Sequence, residues 1–125
     1  MTENEISYKI RGSIIKVYNH LGPGLLESVY EAVLAFELEQ EGLSIQKQYP
    51  INVVYNEIKL DVGFRADLIV DDKVIIEIKS VDGIASVHHK QLLTYLRLTG
   101  LKLGILVNFN TDNINESIYR KVNNL

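Results

Sequence analysis

Several residue types are missing or scarce in this chain, and each absence excludes a class of protein. None of the 125 residues is cysteine, so disulfide bonds, thiolate metal sites and a cysteine nucleophile are all excluded. No apolar run approaches the roughly 18 residues that a membrane-spanning helix needs. Residues 1–5 are polar and acidic, unlike a secretory signal. We therefore expect a protein of the reducing cytoplasm with no membrane partner.

Positive charge is also in short supply. Thirteen Lys and Arg residues face 16 Asp and Glu residues, which gives a net charge of −3. This balance argues against strong non-specific binding of nucleic acid, which usually needs a basic surface. The glycine patterns of P-loops and dinucleotide sites are absent, as is the Gly-x-Ser-x-Gly nucleophile elbow. The length suits one domain, residues 1–125, around a single core.

Two apolar runs in the middle of the chain each contain acidic residues. Asp67 lies within residues 64–70, and Glu77 lies within residues 73–79, where Lys79 follows it by two positions. An unpaired charge in a half-buried strand is costly, because it leaves water without a compensating partner. Side chains alternate along a strand, so Glu77 and Lys79 project from the same face. If the two runs form a hairpin, these charged residues come together in one site.

The hydrophobic pattern indicates the register of that hairpin. A three-residue loop centred on Asp72 makes one coherent apolar face, whereas a two-residue loop would put Asp67 opposite Ile76 and mix polar with apolar positions. The favoured register predicts the pairs Val70/Val74, Ile69/Ile75, Leu68/Ile76, Asp67/Glu77, Ala66/Ile78 and Arg65/Lys79. It brings the two carboxylates together.

Two carboxylates facing each other across a strand pair repel, which normally destabilises a sheet. A divalent cation between them turns that repulsion into a binding site, and hard oxygen ligands suit Mg²⁺ or Mn²⁺ rather than zinc. The alternative is a solvated sheet face on which acids pair with bases. In that case Lys79 would form a salt bridge to Asp67 or Glu77.

Asp67, nine intervening residues and then Glu77-Ile78-Lys79 resemble the core of the PD-(D/E)xK nucleases, with Ala66-Asp67 in place of the usual Pro-Asp. Residues 24–30, Gly-Leu-Leu-Glu-Ser-Val-Tyr, match the GxxExxY signature of a family of small proteins assigned to that superfamily. Residues 91–95, Gln-Leu-Leu-Thr-Tyr, resemble the QxxxY element of RecB-type nucleases. The resemblance runs from about residue 6 to about residue 109.

The resemblance implies a metal-dependent site. Asp67 and Glu77 would be the metal ligands, with the Ile78 carbonyl as a further ligand. Lys79 would position the attacking water and stabilise charge at phosphorus. Glu27, from the GxxExxY match, would complete the metal shell. Its alternative role is a solvent-facing acid near a helix amino terminus, and Glu31, one turn on, is the fallback ligand.

A polar stripe on the next helix adds candidate contacts. His88, Gln91 and Tyr95 recur at helical spacing, while leucines occupy the other positions. Gln91 would hold a metal-bound water or the phosphate, and Tyr95 and His88 would contact the nucleic-acid backbone. Arg65, predicted opposite Lys79, would be a further phosphate contact, or would pair with the acids.

The pattern along the chain predicts an α/β fold. We expect helices at residues 5–20, 26–40, 87–98 and 114–122, with Val29, Val33 and Phe36 facing inward on the second and Ser86 capping the third. Strands are expected at 51–55, 59–70, 74–80 and 102–109. A strand–helix–strand passage from 74 to 109 implies a parallel pair in a mixed sheet. This is the restriction-endonuclease-like core, a mixed β-sheet flanked by helices.

The sequence thus predicts a Mg²⁺- or Mn²⁺-dependent nuclease that acts on DNA more readily than on RNA. The alternative is a non-catalytic module with a nuclease-like fold that binds nucleic acid or protein within a complex. A homodimer or a protein partner would supply contacts that the acidic chain lacks.

Overall fold

The computed structural model describes all residues from 1 to 125. The chain forms three helices and five strands, with one short 3₁₀ helix before the last strand. They are α1 (Glu3–Leu21), α2 (Glu27–Gln40), β1 (Ile45–Tyr55), β2 (Ile58–Val70), β3 (Val74–Lys79), α3 (Ser86–Thr99), β4 (Leu103–Asn108), the 3₁₀ helix (Ile114–Glu116) and β5 (Ile118–Val122).

The strands form one mixed sheet in the order β1-β2-β3-β4-β5. Only β3 and β4 are parallel, and α3 is the crossover between them. The β2–β3 hairpin has the predicted register at Val70/Val74, Ile69/Ile75 and Leu68/Ile76. The restriction-endonuclease-like architecture, a mixed sheet flanked by helices, is therefore confirmed.

The sheet separates two hydrophobic clusters. The larger one lies under α1 and α2 and includes Ile10, Leu34 and Ile76. The smaller one lies under α3 and includes Ile75, Leu92 and Leu106. Alternation along β3 explains this division, since Ile75 and Ile76 point to opposite faces. None of the helices combines the length and the hydropathy that crossing a bilayer would require.

The alternation of β2 changes at Asp67. Leu68 and Val70 belong to the cluster under α1 and α2, but Ala66 belongs to the cluster under α3. The predicted common face of Ala66 and Ile78 is therefore wrong. The neighbouring strand carries a related irregularity, because Gln48 has a φ of 48° and its pairing with Asp67 is missing between Lys47/Leu68 and Tyr49/Ala66. The left-handed conformation of Gln48 thus interrupts the pairing of β1 with β2 at the position where the side chains of β2 exchange faces.

Helix α2 buries a different stripe from the one predicted. Tyr30, Leu34, Ala35 and Leu38 are buried, whereas Val29 and Phe36 are exposed and Val33 packs only at the edge of the core. Apolar residues lie around most of this helix, so periodicity alone could not identify its inner face. The cap of α3 also differs: Ala85 is the N-cap, and Ser86 is the first helical residue.

The ends of the sheet differ from the prediction as well. β1 begins at Ile45, six residues earlier than predicted, because it pairs with β2 back to Val70. The helix predicted at residues 114–122 is wrong: the chain makes a short 3₁₀ turn and then strand β5. As a strand, residues 118–122 form backbone hydrogen bonds with the edge of β4. A two-turn helix at these positions would leave the backbone groups along that edge of β4 without partners.

Two glycines provide a matched test of this packing. A Cβ at Gly104 would lie 2.8 Å from a methyl carbon of Leu92, which is fully buried, whereas a Cβ at Gly12 in α1 would meet nothing within 4 Å. We expect Gly104→Ala to lower the free energy of unfolding by about 1–3 kcal/mol through overpacking. Gly12→Ala should instead raise it by about 0.5–1 kcal/mol, because alanine favours the helix. Urea denaturation measures both, and equal effects would contradict the α3–β4 packing described here.

Candidate functional site

Asp67 and Glu77 meet where the β2–β3 ladder stops. The last residue pair of the β2–β3 ladder is Leu68/Ile76. Beyond it, the backbone N–H groups of Asp67 and Ile78 face side-chain carboxylates instead of backbone carbonyls. Asp67 Oδ2 accepts a hydrogen bond of 2.8 Å from the backbone N–H of Ile78, and Glu77 Oε1 lies 3.4 Å from the backbone nitrogen of Asp67. The predicted approach of the two acids is therefore present, although they are not a ladder pair. The opened end of the hairpin makes room for their side chains.

Glu77 is a buried acid next to another acid. Only 5% of the residue is exposed. Burial first, and the neighbouring Asp67 second, raise the pKa of the Glu77 carboxyl to about 9. At neutral pH the pair therefore holds a proton between two carboxylates, and the negative charge of the pair would be compensated by a cation.

Lys79 is half-buried at the end of β3 and has no ion-pair partner. The ion pair that the structure contains joins Lys16 and Glu37, so the salt bridge from Lys79 to either acid is not formed. The side chain lines an open cleft of about 570 Å³ between β2 and α3, together with Phe64, His88, Gln91 and Tyr95. The ammonium group can therefore reach a ligand bound in this cleft.

The predicted stripe of α3 lies along the cleft, but its members differ in exposure. The Tyr95 ring is buried against Phe64, with ring centroids 5.8 Å apart. Burial, followed by the charges of Glu77 and Asp67, raises the pKa of the Tyr95 hydroxyl. His88 Nδ1 accepts the backbone N–H of Ala85 at 3.0 Å, so this nitrogen caps α3. Gln91 lines the cleft between them.

Arg65 lies away from its predicted position. It pairs with Pro50 of β1, and the β2–β3 ladder does not extend to it, so the predicted pairing with Lys79 is wrong. The strands have separated before this point, at Asp67. The Arg65 side chain is exposed and forms no ion pair with the acids.

Glu27 approaches the site from the first turn of α2. Its Oε2 accepts the backbone N–H of Ser80 at 3.0 Å, just after Lys79, and Ser80 Oγ donates to the Leu25 carbonyl at 2.6 Å. These two bonds fasten the end of β3 to the amino terminus of α2. Glu27 also lines a small cavity that has no apolar wall, together with Ser28, Glu31, Gln48 and Asp67.

Gln48 is a site residue that the sequence interpretation missed. Its amide nitrogen donates to Glu31 Oε1 at 2.6 Å and lies 3.4 Å from Asp67 Oδ1, so it links two acids from different elements. Partial burial raises the pKa of Glu31, which the bond from Gln48 opposes. The predicted first strand began at residue 51. Extending it back along the register with β2 would have placed Gln48 opposite Asp67.

The tyrosine of the GxxExxY motif stabilises the turn that precedes Glu27. The Tyr30 hydroxyl donates to the Gly22 carbonyl at 2.6 Å and accepts the Leu25 N–H at 3.1 Å. Its ring stacks on Phe109 with centroids 4.3 Å apart and an interplanar angle of 4°. Tyr30 thus connects the core to the backbone that delivers Glu27.

Tyr30→Phe should therefore destabilise the protein without changing the core volume. The variant leaves a carbonyl and an N–H of the turn unpaired, which costs about 1–3 kcal/mol in the free energy of unfolding. Tyr8→Phe is the matched control, because Tyr8 is 82% exposed. Urea denaturation of both variants measures the difference. Equal stabilities would show that the two bonds of Tyr30 contribute nothing.

The donor set suits a hard divalent cation. Asp67 and Glu77 supply carboxylate oxygens, and the charge of Asp67 adds to the effect of burial in raising the pKa of Glu77. No group of three or more acidic or histidine side chains converges into a complete cage. Mg²⁺ does not need one, since it usually retains several waters and binds one or two carboxylates. The residues present therefore fit such an ion.

Comparison with known proteins places the chain in one superfamily. A family model described as the PD-(D/E)XK nuclease superfamily matches residues 4–121. A search of curated proteins finds no match. A search of solved structures finds none either.

Proposed function

The chain belongs to the PD-(D/E)XK nuclease superfamily, and on that premise we propose that it is a Mg²⁺- or Mn²⁺-dependent nuclease that hydrolyses DNA phosphodiester bonds. We assign it to the GxxExxY family and to the cytoplasm. The observation that carries the proposal is the contact of half-buried Asp67 with buried Glu77, close to Lys79, which forms no ion pair and lines an open cleft.

Asp67 and Glu77 would hold the cation, with the Ile78 carbonyl and Glu27 completing its ligands. When bound, the cation would lower the pKa of a water molecule and offset charge on the scissile phosphate. Glu27 already accepts the Ser80 N–H, so the same carboxylate would hold β3 in position while its other oxygen turns toward the site.

Lys79 would act on the reacting phosphate itself. Its ammonium group, half-buried and without an acidic partner, would orient the attacking water and stabilise the negative charge that develops at phosphorus. Gln91, on the opposite wall of the cleft, would hold the water or a phosphate oxygen through its amide.

Three further residues would contact the nucleic-acid backbone. His88 retains Nε2 for a phosphate, because only Nδ1 is used in the helix cap. Tyr95 would act through its hydroxyl, since the ring is buried. Arg65 is exposed at the base of the β1–β2 hairpin and would bind a phosphate beside the cleft.

The net charge of −3 weighs against tight DNA binding by the chain alone. It therefore favours one alternative, a non-catalytic nuclease-like module that binds nucleic acid or protein inside a complex. The two functions differ in their need for metal. Calorimetric titration with Mn²⁺ should show binding that Asp67→Asn weakens if the site is catalytic. A module would bind no cation at this pair.

Cleavage of supercoiled plasmid and linear DNA, each in Mg²⁺, in Mn²⁺ and in EDTA, tests the proposal directly. We expect nicking with either metal and none in EDTA, with RNA of the same sequence cut more slowly. No cleavage by the wild-type protein with either ion would favour the module.

A further inference from the structure

The β1–β2 hairpin extends beyond the rest of the sheet as a two-stranded arm, residues 52–65. β3 pairs with β2 only at residues 68–70, so no third strand supports the arm. Its tip is a tight turn in which Asn56 and Glu57 have φ values of 49° and 64°. Isolated two-stranded hairpins are at best marginally stable in water. The arm therefore needs a surface to pack against.

One face of the arm is apolar. The register pairs Val53 with Leu60 and Tyr55 with Ile58, and these four side chains share a face, while Val54 and Lys59 form the other. Tyr55 is 68% exposed, Ile58 61% and Leu60 42%. A face of β-branched and aromatic residues left open to water marks a contact surface.

The size and charge of this face indicate its partner. With the exposed fractions of Tyr55, Ile58 and Leu60, the apolar patch is on the order of a few hundred Å², which is comparable with the apolar share of a standard interface of about 800 Å² per partner. The charged residues of the arm are Glu57, Lys59, Asp61 and Arg65, whose charges cancel and leave no positive excess for a phosphate backbone. A nearly neutral apolar face does not repel an identical one.

The geometry also indicates how two copies would meet. Pro50 lies in the edge strand β1 and cannot donate a backbone hydrogen bond, so extension of the sheet from edge to edge is blocked there. Packing of face against face remains. In a twofold dimer the same patch serves both subunits, as this face requires.

We propose that the apolar face of the arm (Val53, Tyr55, Ile58 and Leu60) packs against the same face of a second copy of this chain, forming a twofold homodimer. This assignment does not depend on catalysis. It accounts for an apolar surface that neither the cleft nor the two cores use.

Sedimentation equilibrium of the full chain from low to high micromolar concentration tests the dimer. We expect the wild-type protein to dimerise and Ile58→Lys to weaken association at least tenfold. Val54→Lys is the matched control, because Val54 is 58% exposed on the opposite face of the same arm. It should associate like the wild type. Ile58→Thr keeps a β-branched residue in the strand and should also weaken association. It tests the same contact if Ile58→Lys fails to fold.

Three results would overturn the proposal. The first is a wild-type protein that stays monomeric at high micromolar concentration. The second is an equal loss of association in Val54→Lys and Ile58→Lys, and the third is an intact dimer in both Ile58 variants. Far-ultraviolet circular dichroism of each variant confirms that the chain is folded. Sedimentation equilibrium does not depend on DNA cleavage, so a protein without nuclease activity would still give a clear answer about the dimer.

Discussion

Lys79→Ala should reduce DNA nicking by about 10²–10³-fold, the usual cost of removing a single donor that stabilises transition-state charge. Lys79 has no structural partner to lose, because it forms no ion pair. Stability should therefore change little while the rate falls. Lys79→Arg should not restore activity, since a planar guanidinium on a longer side chain cannot place its charge where the ammonium lies.

Asp67→Asn should reduce nicking at least as strongly, because Asp67 touches both Glu77 and the Ile78 N–H at the opened end of the hairpin. The shape of the side chain is kept and only its charge is removed. Initial rates of plasmid nicking at saturating Mg²⁺ measure both effects.

Matched controls lie at the other end of the same hairpin. Lys73→Ala and Asp72→Asn change the same residue types in the turn, about 15–20 Å along the strands by the rise of 3.3 Å per residue. Both controls should retain full activity. Activity that survives Lys79→Ala and Asp67→Asn would place the reaction at a different site or in a contaminant, and a loss in the controls would indicate general damage.

Glu77→Gln should make the metal-free protein more stable at neutral and alkaline pH while removing activity. The folded protein holds the Glu77 proton to about pH 9, whereas the unfolded chain releases it near its ordinary value of 4.5. Between these values the folded state binds more protons than the unfolded state. The contribution of the bound Glu77 proton to the free energy of unfolding is therefore complete below about pH 4.5 and is lost as pH rises toward 9.

The size of this loss follows from the same values. By pH 7 the wild-type protein should have lost on the order of 3 kcal/mol relative to pH 4.5. Gln resembles the protonated acid and cannot ionise, so the variant should show a much flatter dependence of the free energy of unfolding on pH. Urea denaturation in EDTA at pH 5, 7 and 9 measures both proteins.

Glu39→Gln is the control for this experiment, because Glu39 is an exposed acid of the same chain. It should keep the wild-type pH dependence. Mg²⁺ at pH 7 should stabilise the wild-type protein and leave Glu77→Gln unaffected, since a cation would replace the proton of the pair. A wild-type protein equally stable at pH 5 and pH 9 would contradict the burial of the Glu77 carboxyl.

Alternation along the chain was enough to predict the β2–β3 hairpin. Apolar residues at 68, 70, 74 and 76 permit one register only, because a shift by one residue would expose all of them. That local constraint also placed Asp67 beside Glu77. The parallel passage from β3 through α3 to β4 followed from the same kind of pattern, since each element buries one periodic face.

Tertiary packing decided the features that depend on partners distant in sequence. Residues 118–122 form a strand because the edge of β4 is open to them, and α2 turns Tyr30 inward because Phe109 lies there to stack on its ring. The same holds for Gln48. Its positive φ interrupts the pairing of β1 with β2, and its side-chain amide links Glu31 to Asp67. The sequence by itself determined which acids belong together, because strand alternation acts over neighbouring residues. Only the tertiary structure decided what surrounds those acids, because burial and hydrogen bonding are set by contacts between elements that the local pattern does not encode.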